Sequence, residues 1–342
     1  MLSERSHSDR GAVTSNGMSY DIISIGSATR DVLLGVEDAK NVTSQDFPSG
    51  QALCLDLGGK VEIKKIVTTS GGGGTNTAVT FARQGLTTAC IGVVGNDSNG
   101  EDVIKELQRE GIDTQYFSKH SDDQTAYSVI LVHPGGERTI LSYKGEGQHF
   151  EVSQIPFEEL DTKWLFLNSL GGHFEILEKA VTWASGKGIQ IATNPGTKEL
   201  QHGLEKLRPL LQNCAIVSMN QEEAGQLAGI DISQEDEIFK FMDEIVGGIF
   251  VMTKGPQGVV VSDGTQRYHA GVPDSPVVER TGAGDAFISA FVAEYMRSGD
   301  ISKAIQLATA NSSSVVTQYG AKAGILKAGD TGPWPLVEVS IQ

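Results

Sequence analysis

Short apolar runs recur along the chain at 22–25, 88–94, 164–167, 189–193, 216–219 and 249–253. They are too short for helices and do not alternate with polar residues, so they predict strands buried on both faces of a parallel sheet. Between them, helix-like segments fall at 100–110, 175–187, 222–227 and 235–246. This alternation predicts an α/β fold, a doubly wound and mostly parallel sheet flanked by helices. In such sheets ligands gather at the carboxyl ends of the strands, where Gly26, Asn220 and Thr253 fall.

Two segments break the rhythm. Residues 51–63 alternate apolar and polar around Gly58-Gly59, which predicts a β-hairpin; 126–132 and 138–143, joined by 133–137, predict a second. The two predict a small β-sheet beside the main one.

Composition narrows the function. A chain of 342 residues with 39% hydrophobic content can bury a substantial core, as one α/β domain with a small appendage or as two domains. A formal charge of −16, with no run of four basic residues, excludes a nucleic-acid partner, because a phosphate backbone is held by clustered Lys and Arg. It does not exclude a single anionic ligand, since helix N-termini and a bound cation can offset it locally. Cys54, Cys90 and Cys214 lack metal-like spacing, and Cys90 and Cys214 sit in apolar surroundings as small core residues. No stretch approaches the ~18 apolar residues of a membrane span, and residues 1–17 lack the apolar centre of a secretion signal. The expectation is a cytoplasmic protein with no membrane partner. Met18 reads as a start, with 1–17 a disordered extension before a domain over 18–342.

The chemistry concentrates in Glu279-Arg280-Thr281-Gly282-Ala283-Gly284-Asp285, followed by an apolar stretch from Ala286. It predicts a turn of small residues opening into a helix with a carboxylate in its first turn. Unpaired N–H groups there can hold an anion while the Asp takes a proton, as phosphoryl transfer to a hydroxyl requires. Ser70-Gly71-Gly72-Gly73-Gly74-Thr75-Asn76 likewise runs into an amphipathic helix, and Asp31 closely follows the first strand.

With these motifs the chain resembles the ribokinase, or PfkB, family of carbohydrate kinases from about residue 21 to 323. The resemblance implies Asp285 as catalytic base beside an anion hole at Gly282, Ala283 and Gly284. It also implies an acceptor site at Asp31, Gly72, Gly73 and Asn76. Asn220-Gln221-Glu222-Glu223 is similar to the family's motif linked to magnesium and phosphate, which makes Glu223 the metal residue. Thr253 and Gly255 resemble the nucleotide loop, and Asn311 falls on the penultimate helix near the expected adenine pocket. The implied cofactors are ATP and Mg2+; a carboxylate at Glu279 leaves room for a monovalent cation such as K+. A small β lid, from segments around 32–68 and 120–146, would fold over the sugar and pair two copies into a homodimer. Without the resemblance, Asn76 and Glu223 also read as helix-start residues, Lys254 as solvated, and Asn311 as a core or cap residue.

Departures bear on the acceptor. Ribokinase has Lys where this chain has Gly73, and 165–172 holds no carboxylate where ribokinase supplies an acidic sugar contact. The expected reaction is phosphorylation of a primary hydroxyl on a neutral sugar or sugar-like molecule. A nucleoside kinase of the same family and a non-catalytic binding protein on this fold are the alternatives. A dinucleotide enzyme would need Gly-x-Gly-x-x-Gly after the first strand, and a Walker-type enzyme Gly-Lys-Ser or Gly-Lys-Thr; neither occurs.

Overall fold

In the computed structural model, residues 19–36, 39–47, 50–133 and 136–342 are described. The extension expected at 1–17 lies outside them. The chain opens with β1 (Tyr20–Ile25), β2 (Thr29–Gly35), β3 (Lys40–Thr43), β4 (Gln51–Cys54) and β5 (Lys65–Gly71). It continues through α1 (Gly73–Arg83), β6 (Thr88–Ile91), β7 (Val93–Gly95), α2 (Ser98–Arg109), β8 (Ser118–His120), β9 (Tyr127–Val132) and β10 (Arg138–Tyr143). Next come β11 (Thr162–Leu167), α3 (Phe174–Gly186), β12 (Gln190–Thr193), α4 (Thr197–Leu200), α5 (Leu204–Leu211), β13 (Ile216–Asn220), α6 (Gln221–Ala228) and α7 (Glu235–Ile245). The last elements are β14 (Ile249–Thr253), β15 (Val259–Ser262), β16 (Arg267–Ala270), α8 (Ala283–Ser298), α9 (Ile301–Val315) and β17 (Ser340–Ile341).

The main sheet has nine strands in the order β17-β16-β15-β14-β13-β12-β11-β1-β6. From β6 to β14 all pairings are parallel, and β15 to β17 add an antiparallel edge. The strand period of two divides the apolar residues between two cores. Ile23, Ile25, Leu165 and Leu167 face α3, α5 and α7; Ile22 and Phe166 face α1, α8 and α9. Both faces are covered, which explains why the parallel strands read as continuous apolar runs. Because they are parallel, β1, β11, β13 and β14 end on one edge, placing Gly26, Asn168, Asn220 and Thr253 together. Among the described residues no helix is long and apolar enough to cross a membrane.

A four-stranded sheet, β10-β9-β2-β5, stands beside the main one. β9 and β10 form the expected hairpin, with Val132 opposite Arg138; Pro134 and Gly135 of its turn lie outside the described residues. The hairpin expected at 51–63 does not form. β4 instead pairs with the upstream β3, and Gly58-Gly59 makes a turn closed by Gly59 N–H donating to Asp56 O at 3.1 Å, with no strand at 60–63. The alternating pattern specified an extended strand but not its partner. The run at 88–94 also divides at Gly92, since β7 pairs with β8 outside the main sheet.

Candidate active site

Helix α8 begins at Gly282, whose φ of 76° is left-handed and so favours glycine. A Cβ there would also stand 2.3 Å from that of Ala321. Among the first helical residues, Ala283 donates its N–H to Arg280 O at 3.3 Å, while Gly284 and Asp285 carry N–H groups that no preceding helical turn can satisfy. Their geometry is braced from behind. Ser312 Oγ donates to Ala283 O at 3.0 Å, and the fully buried Glu279 carboxylate accepts from Thr281 N at 2.6 Å and Gly320 N at 2.9 Å.

The Asp285 carboxylate is held by two amides. Asn76 Nδ2 donates to Oδ2 at 2.9 Å, and Asn168 Nδ2 donates to Oδ1 at 2.9 Å. Because a carboxylate only accepts, both amides must turn their nitrogens toward it. This leaves Asn76 Oδ1 buried without a partner beside the base, where it can accept a hydrogen bond from a hydroxyl. Asn168 Oδ1 accepts instead from Ser169 N at 2.6 Å.

The glycine run makes space for these groups. A Cβ on Gly73 would stand 2.3 Å from Asn168 Oδ1, and one on Gly71 would stand 1.8 Å from Asp31 Oδ2. Gly72, at φ 89°, precedes α1 and accepts from Asn76 N at 3.0 Å. Asp31, on β2, is 6% exposed and accepts from Thr29 Oγ1 at 2.7 Å. Burial pushes its carboxyl above the usual range, against the hydrogen bond from Thr29 and the charge of Lys322. At the opposite end of the small sheet, Glu137 comes within 3.7 Å of Arg280, so the β9–β10 turn meets the segment leading into α8.

The nucleotide-side residues behave unevenly. Asn220 and Glu223 form a capping box on α6: Asn220 Oδ1 accepts from Glu223 N at 2.8 Å, and Glu223 Oε2 accepts from Asn220 N at 2.9 Å. Burial raises the Glu223 carboxyl, the Asn220 bond opposing it and Glu222 adding to it. Lys254 pairs with Glu235 at 2.5 Å. A pocket at the strand edge is lined by Thr253, Gly255, Ala283, Phe287 and Thr309, and the Thr309 hydroxyl is buried without a partner. Asn311 lies behind this pocket: it is fully buried, Nδ2 donates to Ala286 O at 2.8 Å, and Oδ1 accepts from Leu326 N at 2.8 Å. Its amide is occupied in joining α9 to α8 and to the C-terminal segment.

Three residues of this region carried no weight in the sequence reading. Asn168 had a weak signal, its place just beyond an apolar strand. Glu199 and Lys322 had none. Glu199, 1% exposed on α4, brings a carboxylate to the 165–172 loop, which has none of its own, and accepts from Leu170 N at 3.2 Å and Gly172 N at 2.5 Å.

This fold, with a carboxylate at a helix start and an adjoining pocket, suits a small-molecule kinase. The pfkB family carbohydrate kinase model matches residues 45–328, and the chain belongs to that family. It is 28% identical to a ribokinase of Haemophilus influenzae over 262 residues, covering 75% of this chain and 83% of that protein. Among solved structures it is similar to Arabidopsis thaliana ribokinase complexed with ribose and ATP (TM-score 0.74, 19% identity, 92% of this chain and 98% of that one). The nucleoside kinase of Methanocaldococcus jannaschii gives TM-score 0.71 and 21% identity, over 91% and 95%. The protein is therefore a sugar kinase that uses ATP.

Proposed function

We propose that this kinase transfers the γ-phosphoryl group of ATP to a primary hydroxyl of a neutral sugar or sugar-like molecule, with Asp285 as base. The observation that carries the reading is the Asp285 carboxylate, fixed by Asn76 and Asn168 at the N-terminus of α8, with Asn76 Oδ1 buried and unpartnered beside it. An acceptor hydroxyl donating toward Asp285 loses its proton there as it attacks. The N–H groups of Gly284 and Asp285 meet the charge on the transferred group. Asp31 and Asn76 hold acceptor hydroxyls, and Gly72 and Gly73 let the main chain run close to the ring.

The pocket lined by Thr253, Gly255 and Thr309 suits the adenine end of ATP. For Mg2+, a cation that keeps several waters and takes one or two carboxylates besides phosphates, Glu223 is a fitting donor because one oxygen stays outside its capping box. An ion held by Glu223 would supply positive charge against the phosphates. Glu279 already accepts from two main-chain N–H groups, so no step is assigned to K+. The small sheet acts as a lid over the acceptor, excluding water that would compete as phosphoryl acceptor. Its exposed Ile66, Ile140, Leu141 and Tyr143 suit pairing of two copies. A cytoplasmic setting, where ATP is supplied, accords with this chemistry.

A nucleoside acceptor is the second reading. Gly73 brings no charged side chain to the acceptor site, and Glu199 is engaged by Leu170 N, Gly172 N and Ser169 Oγ, so neither restricts the site to a small sugar. ADP release from ATP and magnesium, measured against pentoses, hexoses, sugar acids, sugar phosphates and nucleosides, separates the two. Turnover with one class, lost in Asp285→Ala while ATP still binds, is the expected result. Undiminished turnover in that variant, or ligand binding without ADP release, overturns the reading.

A further inference from the structure

Lys322 lies beyond α9 and is 8% exposed, an unusual place for an ammonium group. Nζ donates to Thr75 Oγ1 at 2.8 Å and to the main-chain oxygen of Ser70. Thr75 Oγ1 in turn donates to Gly71 O at 2.7 Å. The ammonium therefore anchors the turn from Ser70 to Thr75, which leads from β5 into α1 and carries the acceptor loop. Both of its hydrogen-bond partners are neutral oxygens, so its charge is left to act on its surroundings.

Its charge acts on Asp31 of β2, Glu106 of α2, Glu110 just beyond α2, the Cys90 thiol of β6 and Asp285 of α8; Glu110 is itself paired with Arg83 at 2.6 Å. Glu106 is engaged elsewhere, bonded to Arg30 and accepting from Ser70 N at 2.6 Å. Arg30, the other cation acting on Asp31, is correspondingly committed to Glu106 and, at 3.4 Å, to Asp102. The Cys90 thiol is pushed up by burial to about 12 and stays neutral near physiological pH. Asp31 and Lys322 are thus both buried beside the glycine turn, with no salt bridge between them among the described residues.

We propose that Lys322 is a positioning residue of the acceptor site, fixing the Ser70-to-Thr75 turn through its hydrogen bonds and keeping Asp31 ionised through its charge. The functional consequence rests on Asp31 being an acceptor residue, as read above. An ionised Asp31 accepts hydrogen bonds from acceptor hydroxyls on both oxygens, whereas the protonated acid turns one of them into a donor. Burial lowers the Lys322 ammonium to about 8, against the attraction of Asp31 and Glu106, so mild alkali discharges it.

The test needs no acceptor, so it is independent of the substrate reading. Urea unfolding of the wild type, Lys322→Met, Asp31→Asn and the double variant gives the coupling between the two positions. At pH 7 the coupling should be favourable, about fivefold or more in the unfolding constant, and it should largely vanish at pH 9.5. Hydrogen exchange of the 70–76 amides should quicken in Lys322→Met. Lys322→Gln, which keeps a donor but no charge, should restore much of that protection without restoring the coupling, and it serves as the informative variant if Met impairs folding. Absence of coupling at pH 7, coupling undiminished at pH 9.5, or coupling restored by Gln would overturn the charge role; unchanged exchange at 70–76 would overturn the anchoring role.

Discussion

Asn168 Nδ2 stands 2.9 Å from Oδ1 of Asp285, across 117 positions of sequence. With Asn76 holding the other oxygen, Asn168 fixes the direction in which the Asp285 carboxylate points. Asn168→Ala should lower kcat by about tenfold, roughly the worth of a charge-assisted hydrogen bond, with little change in the KM for ATP. An unchanged kcat in Asn168→Ala would show that Asn168 does not act through Asp285.

Gly73 and Asn168 depend on each other, because a Cβ at 73 would stand 2.3 Å from Asn168 Oδ1. Gly73→Ala should displace the amide and reproduce the kinetic defect of Asn168→Ala. Combining the two should add little to either, since both act on one contact. Fully additive losses in kcat would separate the positions.

Asn311 serves the fold, with both ends of its amide on main-chain atoms. Asn311→Ala strands two buried main-chain groups and should cost about 2–4 kcal/mol, seen as a lower Tm. The KM for ATP should stay within about twofold, a change of under 1 kcal/mol. A large rise in that KM with unchanged Tm would return Asn311 to the nucleotide site.

Stability should respond to alkali through Lys322. Its folded pKa of about 8 lies below the ordinary lysine value, so between the two the unfolded chain binds more protons. Stability from this residue therefore rises with pH across that window. Asp31 acts at the other end: its raised pKa means that stability from it falls as pH climbs from the ordinary carboxylate value through the folded one. Comparing Tm at pH 7.5 and 9.5, the wild type should gain relative to Lys322→Met. Parallel profiles would contradict the lowered pKa.

The outer strand β10 exposes all six of its residues, among them Ile140 and Leu141. Sheet edges and apolar patches of this kind invite pairing. Light scattering at micromolar concentration should give a dimer mass, and Leu141→Asp should shift it toward monomer. A monomeric wild type would remove the lid-mediated dimer.

Much of the architecture was legible because it rests on local patterns. Doubly buried strands read as apolar runs, and the small residues before Asp285 read as a helix start. The N-terminal hairpin was misplaced because alternation at 51–63 specifies an extended backbone without naming a partner; β3 supplied it. The main-chain bonds of Asn311 were not legible, because burial and hydrogen bonding leave no mark on a polar helical position.

By itself the sequence determined the alternating α/β order, the glycine turn before α1 and the carboxylate in the first turn of α8, all set by neighbours within a few residues. Only the tertiary structure decided which groups meet that carboxylate. Asn76 lies 209 residues from Asp285, Asn168 lies 117, and Lys322 reaches Thr75 across 247. A hydrogen bond forms only near 3 Å, and whether distant residues come that close depends on strand order and helix packing. Local composition does not encode that distance, and it left no sign that Lys322 is buried against the turn before α1.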